Sequence, residues 1–154
     1  MKKIFGHRGL PHIYRENSIA GLNKAFEYCD YVETDVRITA DNNLILFHDS
    51  DINGQFINEL STEEILNQLN DIEKDDLILS SRDQIEGKVN FEIKTNDLEK
   101  TQIDILFQKM LSILLPDDII TSFNWKAIKD FKELFTCHYG IILDQEDALF
   151  EAKS

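Results

Sequence analysis

Two periodicities organise the polar and apolar positions of this chain: a two-residue alternation over short stretches, and a recurrence every three or four residues over longer ones. Lys3-Ile4-Phe5-Gly6 forms a short candidate strand. Glu16-Asn17-Ser18 then supplies capping groups ahead of Ile19, Leu22 and Phe26, which share one helix face. Over residues 31–38 the alternation sets Val32, Val36 and Ile38 against Glu33, Asp35 and Arg37, and residues 43–48 read as a further strand. Ser61-Thr62-Glu63-Glu64 is a capping box that predicts a helix carrying Ile65, Leu66 and Leu69. Residues 89–94 alternate again, with Val89, Phe91 and Ile93 opposite Asn90, Glu92 and Lys94.

The second half repeats the theme. Residues 98–114 predict a long helix, capped near Asn96 or Asp97 and stopped by Pro116. A strand follows over 119–123, then a helix capped by Asn124 with a buried stripe of Ala127, Ile128, Phe131, Leu134 and Phe135. Residues 137–143 read as a strand and 144–152 as a last short helix. Six strands alternating mostly with helices predict an α/β fold whose strands run parallel. One connection breaks the rule, because only residues 39–43 separate the second and third strands, too few for an ordinary parallel crossover. Either an extended helix-free crossover or a hairpin fits there. A hairpin turning on Asp41-Asn42 places Asp35 opposite His48.

Composition narrows the class. The 154 residues carry 16 Lys plus Arg against 29 Asp plus Glu, a net charge of −13 that argues against a phosphate-backbone binder. No uncharged apolar stretch reaches the roughly 18 residues of a spanning helix, and the apolar run near Ile4-Phe5 is cut short by His7-Arg8 before it resembles a signal peptide. A hydrophobic share of 42% with 10 Phe suits one packed domain over 1–154. Cys29 and Cys137 lie far apart without CxxC spacing, as expected of buried thiols in a reducing cytoplasm.

The chemistry sits on the polar strand faces. In an open sheet Glu33, Asp35, Arg37, Glu92 and Lys94 are solubilising charges. In a closed barrel the apolar face packs outward on helices and the other face points to the axis, where three carboxylates require a cation.

The order of motifs resembles the glycerophosphodiester phosphodiesterase family of phospholipase-C-like barrels. It runs from His7-Arg8-Gly9 through Glu16-Asn17-Ser18, Glu33-Thr34-Asp35-Val36, Thr39-Ala40-Asp41 and His48-Asp49. Asn90-Phe91-Glu92-Ile93-Lys94, Ser122-Phe123 and Tyr139-Gly140 complete it. The resemblance implies a TIM-type (β/α) barrel and metal-dependent hydrolysis of glycerophosphodiesters to glycerol 3-phosphate and an alcohol. Glu33, Asp35 and Glu92 match the family's metal ligands, and an all-oxygen set suits Mg²⁺ or Ca²⁺. His7 and His48 match its two imidazoles, assigned here as base and acid, with water or a neighbouring glycerol hydroxyl as the attacker. Arg8 and Lys94 match phosphate-facing positions, with salt-bridging to Glu33 or Glu92 as the plainer role. Asn17 braces the site, either in the metal's outer shell or as a helix cap, and Ser122 lines the pocket. Phe123 and Trp125 read equally as core aromatics or substrate contacts, and His12 and His138 as ordinary polar positions.

The sequence also departs from the family. A complete barrel takes roughly 200 to 250 residues, whereas about six of eight strands are expected here. Ser50-Asp51-Ile52-Asn53-Gly54 replaces an Arg-Thr-Thr stretch, Arg15 a common proline, and Cys29 a common glycine. The expected protein is a cytoplasmic enzyme acting on a small-molecule substrate, with no nucleic acid and no membrane span. Exposed sheet edges invite a homo-oligomer. A fragment, a compact form completed by a partner chain, and a non-catalytic relative that retains the cation and phosphate site all fit the shortness; an acidic interaction domain with no site is the plainest alternative.

Overall fold

The computed structural model of the chain describes residues 2–69 and 72–143. The expected helix at 144–152 lies outside the described residues. In chain order the elements are β1 (Phe5–His7), α1 (Ile19–Ala25), β2 (Tyr31–Ile38), β3 (Leu44–Leu46), β4 (Asp51–Ile52) and β5 (Gln55–Phe56). Then come α2 (Thr62–Leu69), α3 (Lys74–Leu77), β6 (Lys88–Ile93), α4 (Lys100–Leu111), β7 (Ile119–Ser122), α5 (Trp125–Lys132) and β8 (His138–Ile141).

Strands β1, β2, β6, β7 and β8 pair in that order, each parallel to its neighbour. Of the four connections, β3–β5 with α2 and α3 form the one from β2 to β6, and helices α1, α4 and α5 the other three, so this is the βαβ arrangement predicted, here as an open segment of a (β/α) barrel. The sheet's apolar face packs on those helices: Val32, Val36 and Ile38 meet Leu22, Leu106, Phe107, Ile128 and Phe131 in the main core. The opposite face of β2 is buried as well, so Glu33, Asp35 and Arg37 are not a solvated charge stripe.

The third strand joins β2 as an antiparallel hairpin rather than through a crossover, completing a six-stranded sheet. Its register pairs Val36 with Leu46 and Ile38 with Leu44, one residue away from the pairing that sets Asp35 against His48. The reason is local. Asn42 adopts a left-handed φ of 61°, the Thr39 amide donates to the Asn43 carbonyl, and the turn contains three residues with Asp41 at its apex. Asp35 therefore faces Phe47, whose N–H donates to the Asp35 carbonyl at 3.1 Å. Beyond β3, a second hairpin turning on Asn53-Gly54 and helices α2 and α3 enclose a smaller core of Ile45, Ile52, Ile57, Ile65 and Leu77.

The expected segment Glu16-Asn17-Ser18 does cap α1, through Ser18, which accepts from the Gly21 amide. Helix α4 starts at Lys100 with a capping box between Glu99 and Gln102, because the Asp97 carboxylate is engaged elsewhere. Leu134 stays exposed beyond the end of α5, while Ala127, Ile128 and Phe131 are buried as the stripe predicts.

Candidate metal and phosphate site

The carboxyl ends of the parallel strands carry the charged residues, and register brings them together. His7 on β1 pairs laterally with Glu33 on β2, and Asp35 on β2 with Glu92 on β6. Each of Glu33, Asp35 and Glu92 offers a carboxylate oxygen, and these three lie within 4.8 Å of one another. The cluster is buried, with Asp35 only 1% exposed.

Local backbone builds the surroundings. Immediately after β1 the chain turns sharply, with Arg8 at φ 54° and Gly9 at φ 83°. Gly9 is required on two counts, since a Cβ there would also stand 2.9 Å from the Gly21 backbone of α1. This turn points the Arg8 amide at Glu33 Oε2, 3.0 Å away, beside His7 Nε2 at 3.8 Å. Asn17, itself left-handed at φ 53°, donates through Nδ2 to Asp35 Oδ2 at 2.9 Å and accepts from the Asp35 amide and the Thr34 hydroxyl. It thus braces Asp35 rather than capping the helix.

Two cations enter the cluster. Arg8 Nε lies 3.2 Å from Asp35 Oδ2 while its Nη1 donates to Glu16, and Lys94 Nζ contacts both Asp35 and Glu92. Their partners are therefore Asp35, Glu92 and Glu16, with Glu33 left to the Arg8 amide and His7. Ser122 does not line the pocket by its hydroxyl, which donates to the Ile93 carbonyl and accepts from the Asn124 amide, a strut between β6 and α5. Phe123 is half-exposed, with Lys94 Nζ 5.7 Å from its ring centre, so it belongs to the rim rather than the core. The His48 imidazole hydrogen-bonds Asp49 at 2.8 Å, and its loop is held from below by a residue whose role was not evident in the sequence: Arg37.

Burial and acceptor count test whether a cation fits. Glu33 Oε1 is buried without a hydrogen-bond partner, and Asp35 Oδ1 has only the Lys94 ammonium, 3.0 Å away; an orphaned buried acceptor is a costly state that a bound cation would relieve. The donors are all oxygens, as a hard divalent ion prefers. Burial, then the neighbouring Asp35, push the Glu33 carboxyl up from 4.5 to about 7. A pKa raised in the folded state means stability that is present below about pH 4.5 and lost as pH rises through about 7. Glu33→Gln, which removes the charge and keeps an acceptor for the Arg8 amide, is expected to stabilise the metal-free protein by about 3 kcal/mol at about pH 8 and by nothing at about pH 4. Urea melts of both proteins in chelator at the two pH values measure this; a stability difference that does not change with pH removes the buried charge as its cause.

Comparison with known proteins follows the same geometry. The sequence description of the Glycerophosphoryl diester phosphodiesterase family matches residues 7–148. Among solved structures, a glycerophosphodiester phosphodiesterase from Thermotoga maritima superposes with a TM-score of 0.70 at 24% identity, covering 95% of this chain and 64% of that one. An Oleispira antarctica phosphodiesterase, solved in complex with the product sn-glycerol-3-phosphate, gives 0.76 at 20% identity over 99% of this chain and 70% of its own. These likenesses establish the barrel fold. An uncharacterised Bacillus subtilis protein is 37% identical over 54 residues, 34% of this chain and 22% of that relative. The chain thus spans less than two-thirds of the Thermotoga structure and aligns with about a fifth of the Bacillus protein. No helix among the described residues is long and apolar enough to cross a membrane.

Proposed function

Because the chain belongs to the glycerophosphoryl diester phosphodiesterase family, we propose that it hydrolyses glycerophosphodiesters to glycerol 3-phosphate and an alcohol, using Mg²⁺ or Ca²⁺. The observation that carries this reading is the buried convergence of Glu33, Asp35 and Glu92, with Glu33 Oε1 left without a partner, beside His7, Arg8 and Lys94. A divalent ion held by these three carboxylates would offset two of their three negative charges and draw charge from the phosphate oxygens.

The chain's own residues do the rest. His7 removes a proton from the attacking hydroxyl, with Glu33 Oε2 3.8 Å from its Nε2 to favour the imidazolium that forms. The attacking oxygen bonds to phosphorus, the bond to the alcohol oxygen breaks, and His48 gives a proton to the departing alkoxide; where the attacker is the neighbouring glycerol hydroxyl, the cyclic phosphate so formed is then opened by water to glycerol 3-phosphate. Arg8 and Lys94 already sit as fixed positive charges at the carboxylate cluster, so charge growing on the phosphate oxygens meets donors that need little reorganisation. Asn17 keeps Asp35 in place by two hydrogen bonds, one to its carboxylate and one from its amide, and is itself held by the Thr34 hydroxyl.

Glycerophosphocholine with Mg²⁺ or Ca²⁺, assayed by coupled detection of glycerol 3-phosphate, tests the proposal. Turnover is expected, with loss in chelator and recovery on adding back the ion. Calorimetric ion binding without turnover supports instead a binding module on the same scaffold, and neither binding nor turnover removes the site altogether.

A further inference from the structure

Arg37 shares the inward face of β2 with Glu33 and Asp35, yet its hydrogen bonds run to His48 and Asp97. Its side chain is 8% exposed, and a guanidinium in such a place is stable only when its donors are matched. They are matched in an unusual way. Nε and Nη2 both donate to the backbone carbonyl of His48, at 3.1 and 2.8 Å. Nη1 donates to both oxygens of Asp97, at 2.9 and 3.1 Å. Asp97 lies three residues beyond Lys94 in the loop after β6, and its carbonyl accepts from Asn58 Nδ2 at 3.0 Å.

His48 needs this support. The antiparallel ladder of β3 ends with the Phe47 amide on the Asp35 carbonyl, so Arg37 takes over one residue later. The imidazole's own partner is Asp49, whose side chain is 72% exposed and gives little anchorage. From this we infer that Arg37 is a positioning residue for the reaction proposed above: its fork ties the His48 carbonyl to Asp97, and thereby sets the imidazole against the loop that follows Glu92 and Lys94. Proton transfer to a leaving group tolerates little misplacement, about 1 Å costing on the order of 100-fold in rate.

The inference rests on the proposed activity, and two readouts keep them apart. For Arg37→Met, kcat on glycerophosphocholine is expected to fall roughly 30- to 100-fold, with KM and calorimetric Ca²⁺ affinity changed less than about threefold. Arg37→Lys keeps a charge opposite Asp97 but lacks the planar fork, and should fall about 10-fold while remaining folded. In both variants amide hydrogen exchange at residues 47–50 should accelerate about 10-fold, with 33–36 unchanged. A folded variant with the parent's kcat overturns the inference, as does unchanged exchange at 47–50 or acceleration spread equally along β2. Absence of turnover in the parent protein instead removes the proposed activity and leaves the exchange measurement to decide the role of Arg37.

Discussion

Replacing either His7 or His48 by alanine is expected to lower kcat by about 10²- to 10⁴-fold, the ordinary worth of a positioned general acid or base. The fold should survive both changes. The His7 side chain is 71% exposed and that of His48 partly so, hence each truncation removes little packing, and the melting temperature should move by no more than about 2 °C. Because the two imidazoles serve one displacement, the double variant should be scarcely slower than the worse single one. Roles separate by leaving group. A glycerophosphodiester of p-nitrophenol departs as a stable phenolate and needs no proton, so His48→Ala should regain most of its rate on that substrate while His7→Ala should not. Recovery by His7→Ala alone exchanges the two roles, and full activity in both variants dismisses acid–base catalysis by these side chains.

How far this site was legible depends on whether contacts were local. Strand β2 spans Tyr31–Ile38 as its alternation predicts, so Glu33 and Asp35 were assigned to one face from two-residue periodicity alone. The capping box at Ser61 and Glu64 forms with both hydrogen bonds, again because its partners are three residues apart. Glu92 is different. Its place beside Asp35 depends on the parallel register between β2 and β6, strands separated by a long insertion, and only closure into a barrel, or the family resemblance, suggests it from sequence. The hairpin register missed by one residue for a related reason: the left-handed state of Asn42 lengthens the turn, and a slip of one residue exchanges the faces.

Other features were readable in principle or not at all. Asn53-Gly54 is a strong hairpin signal and does turn β4 into β5, which the alternation of apolar residues had not indicated in so short a pair. Arg37 stood on the inward face in plain view, but its chief partner is a main-chain carbonyl, invisible to any pattern of side chains. The pattern predicts a cap for α4 near Asn96 or Asp97, and the binding of Asp97 to Arg37 takes the second of these away from the helix, which begins later, at Lys100. The same tertiary demand therefore misled the helix boundary and hid the positioning contact.

The opposite end of the sheet makes the contrasting prediction. Arg82, in the turn before β6, donates from Nε and Nη2 to the two oxygens of Asp118 at 2.9 and 2.7 Å, and Asp118 also accepts from the amides of Val89 and Leu115. Both side chains are buried, and the pair joins the approach to β6 with the approach to β7, at the amino ends of the strands. Arg82→Met leaves the Asp118 carboxylate buried without its cation, a loss of about 3–5 kcal/mol. At this chain length that corresponds to a fall of roughly 10 °C or more in melting temperature. Pairing it with Asp118→Leu removes the stranded charge but leaves the Val89 and Leu115 amides without that acceptor, at about 1–3 kcal/mol each, so the double variant should stay well below the parent in stability. Urea melts of the two variants against the parent give these values, and a drop below about 1 kcal/mol in Arg82→Met refutes the staple. Activity per folded molecule should stay at the parent level in both, since the carboxyl ends of the strands, where Glu33, Asp35 and Glu92 gather, do not depend on this pair for their geometry.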